Sequence, residues 1–168
     1  MKIKLFVILV CCFLSSKVLA TQTQISYQAN KIDSVRWEYT YDVMNIGLAA
    51  GIEEFTVYFD HGLYNNLSIS TPDTPSEWDQ IIWQVEPILG DPGGYDALAA
   101  TSSVNIGEMI GGFSVTFDWY GVGQPSSQYY EIIDPVTFKT IESGYTVPEP
   151  AVILFLLSGG VFLVRKKK

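Results

Sequence analysis

The stretch SVRWEYTYDVMN, residues 34–45, constrains the fold more than any other. Val35, Trp37, Tyr39, Tyr41 and Val43 alternate with Arg36, Glu38, Thr40 and Asp42. A period of two sends successive side chains to opposite faces of an extended chain. The segment therefore reads as a half-buried strand with large aromatic residues on its inner face. The alternation recurs in EEFTVYFD (53–60), where Phe55, Val57 and Phe59 alternate with Thr56 and Tyr58, and again in GFSVTFDWY (112–120). DQIIWQVE (79–86) and residues 103–109, 128–134 and 136–142 complete the expected strands.

Between residues 21 and 146 no segment carries a convincing 3.6-residue apolar period. About seven short strands separated by Gly, Pro, Asn and Asp imply an all-β fold, an antiparallel β-sandwich of the immunoglobulin-like or jelly-roll-like kind. Trp37, Tyr39, Phe55, Val57, Phe59, Phe113, Val115 and Phe117 are its expected core. The windows Phe55–Asp60 (FTVYFD) and Phe113–Asp118 (FSVTFD) match at a spacing of 58 residues and read as equivalent strands, at corresponding places in the two sheets. Residues 61–78 and 87–102 are rich in Pro and Gly and read as long loops, where sandwiches usually carry binding functions.

The ends of the chain differ from its middle. Residues 1–20 combine Lys2 and Lys4, an apolar run from Leu5 to Leu14, and Val18-Leu19-Ala20. That is the layout of a secretory signal peptide cleaved after Ala20. Cys11 and Cys12 lie within it, so the exported domain, residues 21–146, has neither a disulfide nor a thiolate zinc site. At the other end, Val147-Pro148-Glu149-Pro150 precedes fourteen uncharged residues, Ala151 to Val164, and then Arg165, Lys166, Lys167 and Lys168. The uncharged run would extend ~21 Å as a helix, short of a ~30 Å hydrocarbon core, and snorkelling cations lengthen its reach. The cation cluster is the membrane stop signal and belongs on the cytoplasmic side, which leaves the domain outside.

Charge and residue types exclude several functions. Residues 21–147 hold Lys31, Arg36 and Lys139 against seventeen acids, a net −14, so binding to nucleic acid through its phosphates is excluded. The one histidine, His61, reads as a solvated turn residue, and no serine sits in a nucleophile elbow. Seventeen acids make some carboxylate pair inevitable, so a glycosidase pair is not specified. No cofactor is required. Asp91-Pro-Gly-Gly-Tyr-Asp96 is the candidate calcium loop, because calcium takes carboxylates and backbone carbonyls from flexible turns. No repeated Thr ladder of the ice-binding kind is present. Among the aromatic residues, Trp37 is in phase with the core. Trp78 follows a proline-rich loop and is the tryptophan best placed to be exposed. Trp78 and Trp119 are the candidate ligand-contacting residues.

The tail closely resembles the PEP-CTERM sorting tail of exported bacterial proteins. The resemblance rests on Val147, Pro148, Glu149 and Pro150, the short apolar segment with Gly159-Gly160, and the terminal Arg165–Lys168 cluster, all in that order. It covers about 22 of 168 residues. It implies a processing partner, an exosortase, acting near the Pro-Glu-Pro of an inner-membrane-anchored precursor in a Gram-negative bacterium. It also implies release or transfer of the protein to the cell surface or the extracellular matrix, in cells that make exopolysaccharide and biofilm. Three readings follow for the domain: a non-enzymatic surface or matrix protein, a carbohydrate-binding module using exposed aromatics with or without calcium, and a hydrolase.

Overall fold

The computed structural model describes residues 21–70 and 77–149. The signal segment ending at Ala20, Pro150, the apolar run and Arg165–Lys168 all lie outside the described residues. The described chain is all-β. Its strands are β1 Thr23–Lys31, β2 Arg36–Asn45, β3 Glu54–Phe59, β4 Tyr64–Ile69, β5 Trp78–Trp83, β6 Gly93–Ala99, β7 Met109–Trp119, β8 Tyr129–Asp134, β9 Lys139–Tyr145 and β10 Val147–Pro148. They form two sheets of five, ordered β10-β1-β2-β7-β4 and β5-β6-β3-β8-β9. All pairings are antiparallel except β1 with β10. Among the described residues no helix is long and apolar enough to cross a membrane.

The core is the aromatic face that the alternation marks. Tyr39, Tyr41, Phe55, Phe59, Phe113 and Phe117 are fully buried. The two matching windows meet across the interior. Phe55 contacts Phe113 with ring centroids 4.9 Å apart at 84°, and Phe59 contacts Phe117 at 5.9 Å. The repeated pattern thus reflects two strands that supply facing halves of one core. Their places in the sheets differ: β3 is central, whereas β7 lies next to the edge. Phe117 also touches Tyr39 at 4.8 Å and Tyr64 at 5.0 Å. Trp37 is half-buried against this cluster. Several buried tyrosines keep their hydroxyls paired, as burial of a polar atom demands. Tyr39 donates to the Ser126 carbonyl at 2.8 Å and Tyr130 to the Thr23 carbonyl at 3.1 Å.

The structure corrects several boundaries. Of residues 103–109 only Met109 lies in a named strand, as the first residue of β7. Val104 makes one isolated bridge to Ile52, and a turn with Gly107 at φ +84° precedes β7. Strand β9 begins at Lys139 rather than Val136, because the Asp134 carboxylate accepts the Val136 and Thr137 amides and closes a turn there. Both supposed long loops contain a strand. In β4, Asn66 adopts φ +50° and the register shifts between Asn65 and Ser68, which hides the alternation. In β6, the Gly93-Gly94 pair reads as a turn but lies in the ladder. A Cβ on Gly93 would fall 2.7 Å from Leu67, and one on Gly94 would fall 2.0 Å from the Trp83 ring. Glycine at these positions lets neighbouring side chains lie close over the ladder. Strand β1, with Ile25 and Tyr27 paired to Val43 and Tyr41, was not among the expected set.

Candidate functional site

Trp78 is not exposed. It opens β5 opposite Ala99, is 6 % exposed, and packs on Phe55 and Phe113 at 5.9 and 5.3 Å. Its place at the start of the strand puts it on the inner phase, so the expectation of a ligand-contacting Trp78 is corrected. Trp119, on the other sheet, is half-buried. Its ring rests on Tyr64 at 4.9 Å and its Nε1–H donates to the Gly123 carbonyl at 2.9 Å. The two tryptophans share no exposed face.

The same phase that turns Trp78 inward turns Trp83 outward. In the second sheet, Trp83 of β5 is opposite Gly94 of β6, and Gly94 is opposite Tyr58 of β3. Val57 pairs with Tyr130, which sets Tyr58 beside Tyr129 of β8, and Tyr129 pairs with Tyr145 of β9. One cross-strand row on the outer face therefore runs Trp83, Gly94, Tyr58, Tyr129, Tyr145. Ring centroids along it are 6.2, 5.7 and 5.7 Å apart. Trp83 is 39 %, Tyr129 37 % and Tyr145 68 % exposed. Four inter-strand spacings make the row roughly 19 Å long. Gly94 lets the Trp83 ring lie over the strand it crosses.

The rings are not a flat platform. Tyr58 and Tyr129 are within 32° of each other, whereas Trp83 and Tyr145 meet their neighbours at 72° and 65°. The row is a ridge of alternately tilted rings. Tyr58, Tyr129 and Tyr145 also line an open cleft of about 310 Å³ together with Asp60, Ser126 and Ser127. Beneath the row, Glu131 accepts the Tyr58 phenol at 2.8 Å and the Tyr129 phenol at 3.1 Å. Burial, reinforced by Glu131, raises the Tyr58 phenol, so it remains a neutral donor. Apolar ring surface bordered by hydroxyls and carboxylates suits a ligand with C–H faces and equatorial hydroxyls, which describes a sugar ring.

The candidate calcium residues stand on different elements. Asp91 is exposed and bridges Glu86 in the turn before β6. Asp96 lies within β6, is 9 % exposed, and accepts the Thr56 hydroxyl at 2.6 Å. Burial raises its carboxyl above the ordinary range. The extended strand from Gly93 to Asp96 alone spans ~10 Å. Among the described residues no three His, Cys, Asp or Glu side chains converge as a metal site. His61 is exposed in the turn after β3.

The first residues of the tail motif are part of the sandwich. Chain leaving β9 passes through buried Thr146, whose amide donates to the Gln128 carbonyl at 2.8 Å, and crosses to the other sheet. Val147 and Pro148 then pair in parallel with Ser26 and Tyr27, and the Glu149 amide donates to the Tyr27 carbonyl at 2.9 Å. Proline is tolerated because β10 is an edge strand. All three residues are exposed. The Glu149 carboxyl is raised, first by burial and then by the neighbouring Asp42 carboxylate. Val147 to Glu149 are thus exposed and hydrogen-bonded to the body of the domain.

No single segment of the sequence marks the outward row, although Tyr58 falls on the polar phase of its strand. A tyrosine at such a position, repeated on neighbouring strands, was the available signal. No protein-family model matches this chain, and no curated protein is significantly similar to it.

Proposed function

We propose that this chain is an exported, non-enzymatic bacterial surface or matrix protein whose β-sandwich holds polysaccharide on the Trp83–Tyr58–Tyr129–Tyr145 row. In this reading residues 1–20 direct export. The tail anchors the precursor in the inner membrane, and an exosortase-type enzyme processes it near Val147–Pro150. The observation that carries the binding reading is the row itself: four aromatic side chains on the solvent face of one sheet, with a glycine that makes room for the largest. Solvent faces of sheets are ordinarily polar. The row's length matches a short run of sugar units rather than one monosaccharide. The nearby carboxylates of Glu131 and Asp96 lie on the two strands that flank Thr56, and each is already engaged in accepting hydroxyls of its own sheet. That arrangement favours binding over hydrolysis.

Affinity electrophoresis through gels containing exopolysaccharide from the producing cells tests the reading. The wild-type domain is expected to be retarded, and a Trp83→Ala/Tyr145→Ala variant to migrate as in a polysaccharide-free gel. Equal retardation of both proteins would remove the row from the account.

A further inference from the structure

The loops 32–35, 60–63, 84–92 and 120–128 all lie at one end of the sandwich. Lys31 pairs with Trp37, Arg36 with Asp118, Tyr64 with Trp119, and Phe59 with Gly93, so these four connections leave the same ends of their strands. Backbone bonds tie them together: Tyr120 donates its amide to Leu63, and Trp119 donates to Val35. This end presents apolar tips. Ile88 is 95 % exposed, Leu89 73 %, Tyr120 60 % and Val122 101 %. The 86–91 turn is fixed in shape, because the Glu86 carbonyl accepts the Leu89, Gly90 and Asp91 amides.

The opposite end is also apolar, with Val136 and Phe138 about as exposed as Leu89. The tail separates the two ends. β10 runs parallel to β1 and therefore points toward the Lys31 end, where Ile88 and Val122 lie. From the level of Tyr27, that end is four residues on, or ~13 Å at strand rise. Only Pro150 separates Glu149 from the apolar run that starts at Ala151. One residue cannot carry the chain back along β1 to the other end, since even full extension gives ~3.5 Å per residue.

We infer that, while the tail is attached, the Ile88–Leu89 and Val122 tips rest on the lipid bilayer and hold the sandwich upright on its surface. The inference goes beyond polysaccharide binding but rests on the reading of Ala151–Val164 as a membrane anchor. Apolar tips on stiff turns enter the headgroup boundary at little conformational cost. Asp33, Asp60, Glu86 and Asp91 lie in the same loops and Asp118, Lys31 and Arg36 at the adjoining strand ends, five acids to two cations, so the contact is apolar and is opposed by anionic lipid. With strands upright, the aromatic row, which crosses them, lies parallel to the membrane near this end. A bound polysaccharide would run along the cell surface.

The test uses the full chain with Cys11→Ser and Cys12→Ser, reconstituted into phosphatidylcholine vesicles containing lipids with a quencher in the acyl chain. A polarity-sensitive fluorophore is attached in turn to Ile88→Cys, Val122→Cys, Phe138→Cys and Leu156→Cys. Labels at 88, 122 and 156 are expected to shift to the blue and to be quenched severalfold more than the label at 138. Adding anionic lipid should reduce quenching at 88 and 122 but not at 156. Quenching at 156 with equal signals at 88 and 138 would overturn the docking surface and leave the anchor standing. Absence of quenching at 156 and at 88 would overturn both.

Discussion

Replacing Gly94 by Ala should disable the binding face without harming the fold. The new Cβ would sit 2.0 Å from Cζ2 of Trp83 and 2.3 Å from its Cε2, so the ring must leave its place over β6. The ring is already 39 % exposed and belongs to an edge strand, so it can swing outward. If about 50 Å² of ring contact is lost, the cost is ~1.3 kcal/mol. Alanine lowers the entropy of the unfolded chain and returns ~0.4–1 kcal/mol. The net loss of stability is therefore about 1 kcal/mol or less, and the melting temperature should move by only a few degrees. A sugar stacked on the same area would lose ~1.3 kcal/mol, or roughly tenfold in Kd. Thermal melts followed by circular dichroism, paired with polysaccharide titration by calorimetry, measure both quantities. Unchanged affinity in a folded Gly94→Ala protein would refute the role given to the Trp83 position. A large destabilisation would show that the ring cannot move as argued.

Further outcomes follow from the core, the buried carboxyl and the tail. Phe117→Ala removes the ring on which Tyr39, Tyr64 and Phe59 converge and should cost ~3–5 kcal/mol in urea melts. Asp96 has a carboxyl raised above 3.8 in the folded state, so the native protein binds its proton more tightly than the unfolded chain. Stability should fall as pH rises from about 3.8 through the folded value, and Asp96→Asn should flatten that fall in denaturation curves taken across acidic pH. Replacing Pro148, Glu149 and Pro150 together by alanine should leave export intact and block processing. Fractionation would then find the uncleaved form in the inner membrane, whereas normal-size product in the medium would defeat the sorting reading.

What the sequence made legible is the part governed by strict alternation. β2, β3 and β7 carry inward aromatic residues in the alternating phase, and all but the half-buried Trp37 and Trp119 are buried as that pattern demands. The outward aromatic row is harder to see because a one-residue slip exchanges the two faces of a strand. Starting that strand at Asp79 leaves Trp78 in the preceding loop, free to look exposed. Starting it at Trp78 buries that residue and exposes Trp83. The Gly93-Gly94 pair compounded the problem, since glycines that admit a neighbouring ring look the same in sequence as glycines that turn a chain. Strand pairing, not local pattern, brings Tyr58, Tyr129 and Tyr145 into one row, and their separation in sequence conceals it.

The central claim, that this row is where the domain meets polysaccharide, is tested most directly by ring-proton NMR on the domain with aromatic side chains isotopically labelled. On adding oligosaccharides cut from the producing cells' exopolysaccharide, shifts are expected at Trp83, Tyr58, Tyr129 and Tyr145, with the buried rings of Trp78, Phe113 and Phe117 unmoved. Shifts confined to Trp119 or other residues of the first sheet, or no shift at saturating oligosaccharide, would contradict the account.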